Sequence, residues 1–324
     1  MVKHLRLVLV LVALVALGGV LLARPLLPGD LGASPRPAPA YEGAVGRVVE
    51  LAATDDATIA PECRTLFLSH GRATGRVVVL LHGLTNCPAQ FDSLARLLFD
   101  GGANVLVPRL PRHGLADRMT GELSRTDARE LRDFTDRVID AAEGLGNEVV
   151  VVGLSVGGTM AAWAGQNRPG VDRAILIAPL LAPPGLSPPL ARAATRLAVT
   201  LPNHFVWWDK ERRQDLPGPR HVYPRFATRA AAASLVLGAA VLDQASRAAP
   251  GCRSAALVTI EHDPAVGNAA IAALGRSWHE RGGRAVTAVE FPESLRLNHD
   301  VVDPDQVGAR TDLTYPVLLD LIGR

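Results

Sequence analysis

The chain has 324 residues, with 34 Lys and Arg against 32 Asp and Glu; the resulting formal charge of +2 leaves no broad basic field, so nucleic acid is not an expected partner. Nearly half of the residues are hydrophobic and a fifth are charged, which excludes disorder of the whole chain and predicts a large folded core. Three cysteines cannot form a disulfide framework, and no CxxC or HExxH spacing occurs, so no metal is expected.

MVKHLR is followed by an uninterrupted apolar run from Leu7 to Ala23, about 25 Å long as a helix. That is longer than a signal-peptide core and just short of a usual membrane span, so residues 1–23 read as a signal anchor or a cleaved signal peptide. The best small-residue cleavage site, Ala16-Leu17-Gly18, lies inside the run and favours the anchor. Lys3 and Arg6 predict a cytoplasmic N-terminus. The remainder would then be an extracytoplasmic domain on the membrane, or a secreted one after cleavage. Residues 24–40 are rich in Pro and Ala and read as an extended linker.

From residue 41 to the end, β-branched runs alternate with amphipathic stretches, the pattern of one α/β domain with a mostly parallel sheet. Eight strands are predicted, over 45–51, 64–70, 76–82, 104–108, 148–153, 172–178, 254–261 and 284–291. Pro88 opens a helix that ends at Gly101-Gly102, and Ser124 with Asp127 caps another reaching about Glu143. Further helices are expected over 156–168 and 265–281. Residues 179–252 interrupt the alternation with a cluster of prolines and the pair Trp207-Trp208, far beyond an ordinary connection. With the apolar stretch 229–247, they read as a helical cap packed over the C-terminal edge of the sheet.

The chemistry begins at Gly153-Leu154-Ser155-Val156-Gly157. This GxSxG directly follows EVVVV and directly precedes the helix-like VGGTMAAWAG, the strand, tight turn and helix of a nucleophile elbow. A serine nucleophile needs a base to take its proton and a carboxylate to hold that base in the right tautomer. His299, in the loop after the last central strand, and Asp263, after the strand AALVTIEH, both fall at the edge expected for Ser155. Their order, Ser155, Asp263, His299, is that of nucleophile-elbow enzymes. Glu261 and His262 flank the acid, and Asp300, Asp303 and Asp305 offer His299 a surface pairing instead. His82 and His113 read as loop-organising residues rather than catalysts. A tetrahedral intermediate needs two N–H donors, for which the backbone of Val156 and of Leu84 are the candidates.

LLHGLTNCPAQF, RLPRHG, GLSVGG, the EHDP turn and NHDVV together resemble the α/β-hydrolase superfamily, and within it the carboxylesterase, monoglyceride-lipase and serine-aminopeptidase-like branch. The resemblance covers about residues 64–320. It implies an α/β-hydrolase fold with an eight-stranded sheet and an inserted cap, a nucleophile at Ser155, acid at Asp263, base at His299 and oxyanion donors at Leu84 and Val156. The sheet order of that fold also implies that Cys63 and Cys87 meet at the active-site edge. An exported protein would then carry a Cys63–Cys87 disulfide and leave Cys252 free.

The expected activity is hydrolysis of a small-molecule or lipid carboxylic ester through an acyl-enzyme, with no cofactor. The expected partners are that ester and, through the N-terminal segment, a membrane. An acyltransferase would use the same triad, and a non-catalytic binding protein on the same fold is the alternative of a different class.

Overall fold

The computed structural model describes residues 31–216, 218–282 and 285–324. In chain order the elements are α1 (Tyr41–Ala52), β1 (Leu66–Leu68), β2 (Thr74–Leu81), α2 (Asp92–Asp100), β3 (Asn104–Val107), α3 (Ala128–Ala142), β4 (Gly146–Leu154), α4 (Val156–Asn167) and β5 (Arg173–Ile177). After these come α5 (Pro188–Thr200), β6 (Phe205–Trp207), β7 (Arg225–Ala227) and α6 (Thr228–Ala245) of the insertion, then β8 (Ser254–Ile260), α7 (Asn268–Gly282), β9 (Ala285–Phe291) and α8 (Thr311–Gly323).

The main sheet has the order β1-β3-β2-β4-β5-β8-β9, with β1 antiparallel to β3 and every other pair parallel. Central strands of such a sheet are covered on both faces and tolerate only apolar side chains. That is why Val77–Leu81 and Val149–Val152 are unbroken apolar runs that pair in register, Val77 with Val149 through Leu80 with Val152. The chain runs from β2 outward to β3 and then back across β2 to β4. This reversal opens a crevice at the C-terminal ends of β2 and β4, the place where open α/β sheets take ligands.

The sheet has seven strands where the sequence predicts eight. Residues 45–51 belong to α1 instead: Ala44 and Val48, one turn apart, are buried, while Val49 is 63% exposed. A helical period suits one packed face here and overrides the β propensity of the valines. Part of the insertion is a cap, made of α5 and a two-stranded antiparallel β6–β7 ribbon that the sequence pattern does not announce. α6, which the sequence reading assigns to the cap, instead buries Ala233, Val236, Leu237, Ala240 and Val241 in the main core, where it returns the chain to β8.

Part of the predicted linker also packs. Leu31 is buried and its carbonyl accepts a hydrogen bond from Trp163 Nε1 at 2.6 Å. The N–H groups of Ser34 and Arg36 donate to Asp136 Oδ2 and Asp140 Oδ1, each at 2.8 Å. Arg168, fully buried, holds the same two carboxylates and Glu143 at 2.5–2.7 Å. Backbone donors make this docking, so composition could not reveal it. Cys63 and Cys87 form a disulfide and Cys252 is buried outside any disulfide, as the resemblance implied.

The expectation of a membrane-anchored protein is corrected. Among the described residues no helix is long and apolar enough to cross a membrane. The run 7–23, which motivated the signal-anchor reading, lies outside the described residues.

The two glycines of GxSxG are there because strand, helix and neighbouring loop touch. A Cβ on Gly157 would lie 1.9 Å from the Leu81 carbonyl oxygen, and one on Gly153 would lie 2.0 Å from the Gly157 oxygen. Gly157→Ala is therefore expected to cost about 3 kcal/mol or more of stability. Gly46→Ala, on the exposed face of α1 with nothing within 4 Å of the new methyl, is expected to gain about 1 kcal/mol. Urea unfolding midpoints of the two variants check both signs.

Candidate active site

Ser155 sits between the last residue of β4 and the first of α4, with φ 56° and ψ −113°. Left-handed backbone is unfavourable for a residue with a side chain and persists only where the surroundings over-determine it. Here the Ser155 N–H donates to the Ile177 carbonyl at 2.9 Å. Its own carbonyl accepts from the N–H groups of Thr159 at 2.9 Å and Leu180 at 3.1 Å. The side chain is half-buried at the mouth of the crevice. Val156 opens α4, and the N–H groups of a first helical turn have no intrahelical acceptor, so they are available to a developing negative charge.

The loop after β2 carries the other predicted donor. His82 Nε2 accepts a hydrogen bond from the Leu110 N–H at 3.0 Å, which leaves the ring proton on Nδ1 to donate to the Gly83 carbonyl, also at 3.0 Å. That carbonyl and the Leu84 N–H belong to one trans peptide and point opposite ways, so His82 turns the Leu84 N–H away from itself. Among the described residues this N–H has no hydrogen-bond partner. A Cβ on Gly83 would be 3.7 Å from Ser155 Cβ, which places the loop directly against the serine.

His82 and His113 organise this loop, as the sequence suggests, and neither is suited to proton transfer near neutral pH. Burial pushes both imidazoles down, His82 well below its ordinary value and His113 from 6.5 to about 4. His113 Nδ1 donates to the Pro111 carbonyl at 2.8 Å, and its ring meets His82 edge-on and stacks on Tyr223. Between these two values the unfolded chain binds a proton that folded His113 does not. Stability is thus full above pH 6.5 and falls as the pH drops toward about 4. The Tm of the wild-type chain is expected to decline more steeply across that window than the Tm of His113→Gln.

At the other side of the crevice, Asp263 follows β8 and His299 follows β9. His299 Nδ1 lies 2.8 Å from Asp263 Oδ2, and Asp263 Oδ1 accepts the Ala265 N–H at 2.8 Å. The Asp263 side chain is fully buried, whereas His299 keeps 23% of its side chain exposed. The alternatives left open by the sequence engage elsewhere. Glu261 accepts the Glu293 N–H, and His262 lies beside the Glu293 carboxylate at 3.4 Å. Asp303 pairs with His221 of the cap at 2.8 Å, and Asp300 accepts from Gln90 Nε2 at 2.6 Å.

The cap grips the loop after β2 at one residue. Thr85 takes a hydrogen bond from Trp208 Nε1 on its hydroxyl, 3.0 Å, and another from the Tyr223 N–H on its carbonyl, 2.8 Å. Trp208 is 53% exposed and Trp207 half-buried, with Arg213 and Arg225 over the Trp207 ring, so neither tryptophan is cap core. Leu123, Tyr223, Ala227 and Ala230 form a buried apolar cluster against which Leu84 packs.

The structure thus sets Ser155, Leu84 and Val156 at the C-terminal ends of β2 and β4, and Asp263 with His299 at those of β8 and β9. Residues 78–307, well over half of the chain, match the alpha/beta hydrolase family. The chain belongs to that family. This alpha/beta hydrolase is 30% identical over 112 residues to a pyrethroid hydrolase of Sphingobium wenxiniae, covering 34% of this chain and 38% of that one. It is also 30% identical over 100 residues to a thermostable monoacylglycerol lipase of Bacillus sp. strain H-257, covering 29% and 36% of the two chains. The matches therefore span little more than a third of these relatives. Among solved structures, a metagenome-derived lipolytic enzyme shares the fold with a TM-score of 0.59 and 19% identity, over 82% of this chain and 99% of the other. The monoacylglycerol lipase of Paleococcus ferrophilus matches with a TM-score of 0.59 and 16% identity, over 80% and 98%. The two curated relatives are thus a hydrolase and a lipase, and the solved structures share the fold.

Proposed function

We propose that this hydrolase cleaves carboxylic esters through an acyl-enzyme on Ser155, in the manner of carboxylesterases and monoglyceride lipases. The observation that carries the reading is the buried Asp263 carboxylate on His299 Nδ1. That carboxylate holds the proton of the neutral ring on Nδ1, so Nε2 carries the lone pair that a base needs. In the first step Ser155 Oγ attacks the ester carbonyl and passes its proton to His299 Nε2. The oxyanion that forms takes hydrogen bonds from the N–H groups of Leu84 and Val156. Collapse breaks the bond to the alcohol oxygen, which leaves with the proton from His299. Water then repeats the sequence on the acyl-enzyme, with His299 as base again, and frees the acid and Ser155.

The apolar cluster beside Leu84 suits a substrate with a hydrocarbon acyl or alcohol group. The paired Cys63 and Cys87 suit an oxidising compartment, and an extracytoplasmic location is part of the same proposal. The test is labelling of the full chain with a fluorophosphonate, beside turnover of p-nitrophenyl esters of graded acyl length. The expected result is one label, located by mass spectrometry on Ser155, and turnover with a chain-length optimum. A folded chain that takes no label, or takes it at another residue, overturns the reading.

A further inference from the structure

We propose that Gln90 and Asp300 are positioning residues that tie the 82–87 loop, which carries Leu84, to the loop that carries His299, so that the two sides of the site hold one geometry. Gln90 lies in the short turn Pro88–Phe91 and is 2% exposed. Its Oε1 accepts the Gly83 N–H at 2.8 Å and its Nε2 donates to Asp300 Oδ2 at 2.6 Å. The amide has one workable orientation, because a flip would set donor against donor at Gly83 and acceptor against acceptor at Asp300. His82 fixes the peptide after Gly83 and Gln90 fixes the one before it, so both planes that aim the Leu84 N–H are held.

Asp300 reaches the same loop a second time through Asn86 Nδ2 at 3.4 Å, and Gln306 Nε2 lies 3.3 Å from the same oxygen. Its other oxygen accepts the N–H groups of Val302 and Asp303, both at 3.1 Å, which shapes the chain directly after His299. An asparagine would make that turn as well, without the cost of a buried charge beside Asp303. What asparagine would lose is an acceptor for Gln90. The carboxylate is thus spent on the link between the loops, and not on the turn.

This proposal relies on the ester-hydrolase reading for its kinetic arm alone. Asp300→Asn keeps the turn but opposes two amide donors, and Gln90→Glu opposes two carboxylates. The double variant restores the match between these two side chains, because the introduced asparagine amide donates to the introduced glutamate, whose other oxygen still accepts the Gly83 N–H; only the longer contacts of Asn86 and Gln306 to that position, at 3.4 and 3.3 Å, stay lost. Each single variant is expected to lower kcat for a p-nitrophenyl ester by up to about 100-fold, with KM held within about twofold. The pair together recovers most of the loss. Amide exchange read by mass spectrometry is expected to rise in both 82–90 and 296–303 in each single variant, and to return toward wild type in the double. Exchange changes confined to the loop that carries the substitution overturn the proposal, as do kinetic effects that simply multiply in the double variant. If the wild-type chain shows no ester turnover, the hydrolase reading fails, and the exchange measurement still decides whether the loops are tied.

Discussion

Ser155→Ala is expected to lower kcat for a p-nitrophenyl ester by about 10⁶-fold while the protein stays folded. Alanine adopts φ 56° at about the strain serine already bears, and the bonds that hold the turn belong to the backbone. Circular dichroism and the thermal transition should therefore match wild type. The proposed oxyanion donors, Leu84 and Val156, remain in place, so a residual rate above uncatalysed hydrolysis is expected as well. A loss smaller than about tenfold in a folded variant would mean that another group attacks the ester.

Asp263→Asn is expected to cost about 10⁴-fold in kcat with little change in fold. Asp263 accepts at both oxygens, from the Ala265 N–H and from His299 Nδ1, each at 2.8 Å. An asparagine that keeps its oxygen on the Ala265 N–H must turn its NH₂ toward His299. The ring then accepts at Nδ1 and carries its proton on Nε2, the atom that receives the proton from Ser155 in the proposed mechanism. The shape of the site survives while its base faces the nucleophile already protonated. Fluorophosphonate labelling should slow in parallel with kcat; unchanged labelling would mean that Asp263 does not set the tautomer.

Much of this is legible in the sequence because the physics is local. The runs at 76–82 and 148–153 can only be central strands, and glycines on either side of Ser155 mark a turn where backbones touch. Asp263 and His299 can be found because each falls just after a strand. Residues 45–51 mislead because Val45, Val48 and Val49 look β-branched from any angle, and only the packed face of α1 decides which of them is inside. Gln90 stays invisible for a different reason. Its partners are the backbone N–H of Gly83 and a carboxylate 210 residues further along the chain, and no spacing rule joins them. Asp300 does stand out, but as a rival partner for His299. Sequence proximity makes it a neighbour of the imidazole, whereas the fold turns it toward the other loop.

The cap also bears on how the chain acquires its structure. It departs after β5 and returns at β8, and those two strands are hydrogen-bonded neighbours, Arg173 with Ser254 through Ile177 with Val258. Parallel neighbours need a crossover of about a dozen residues in any case; closing this far longer excursion costs about 1.6 kcal/mol more in chain entropy, since that cost grows with the logarithm of length. The effect on rate is larger, because pairing between strands so distant in sequence comes late. The half of the sheet from β1 to β5 can assemble from nearer segments, and it already contains Ser155 and both proposed oxyanion donors, Leu84 and Val156. Asp263 and His299 join when β8 and β9 dock. During synthesis, then, the proposed nucleophile is in place before its proposed base and acid, and under that reading a nascent chain holds a serine that cannot yet react.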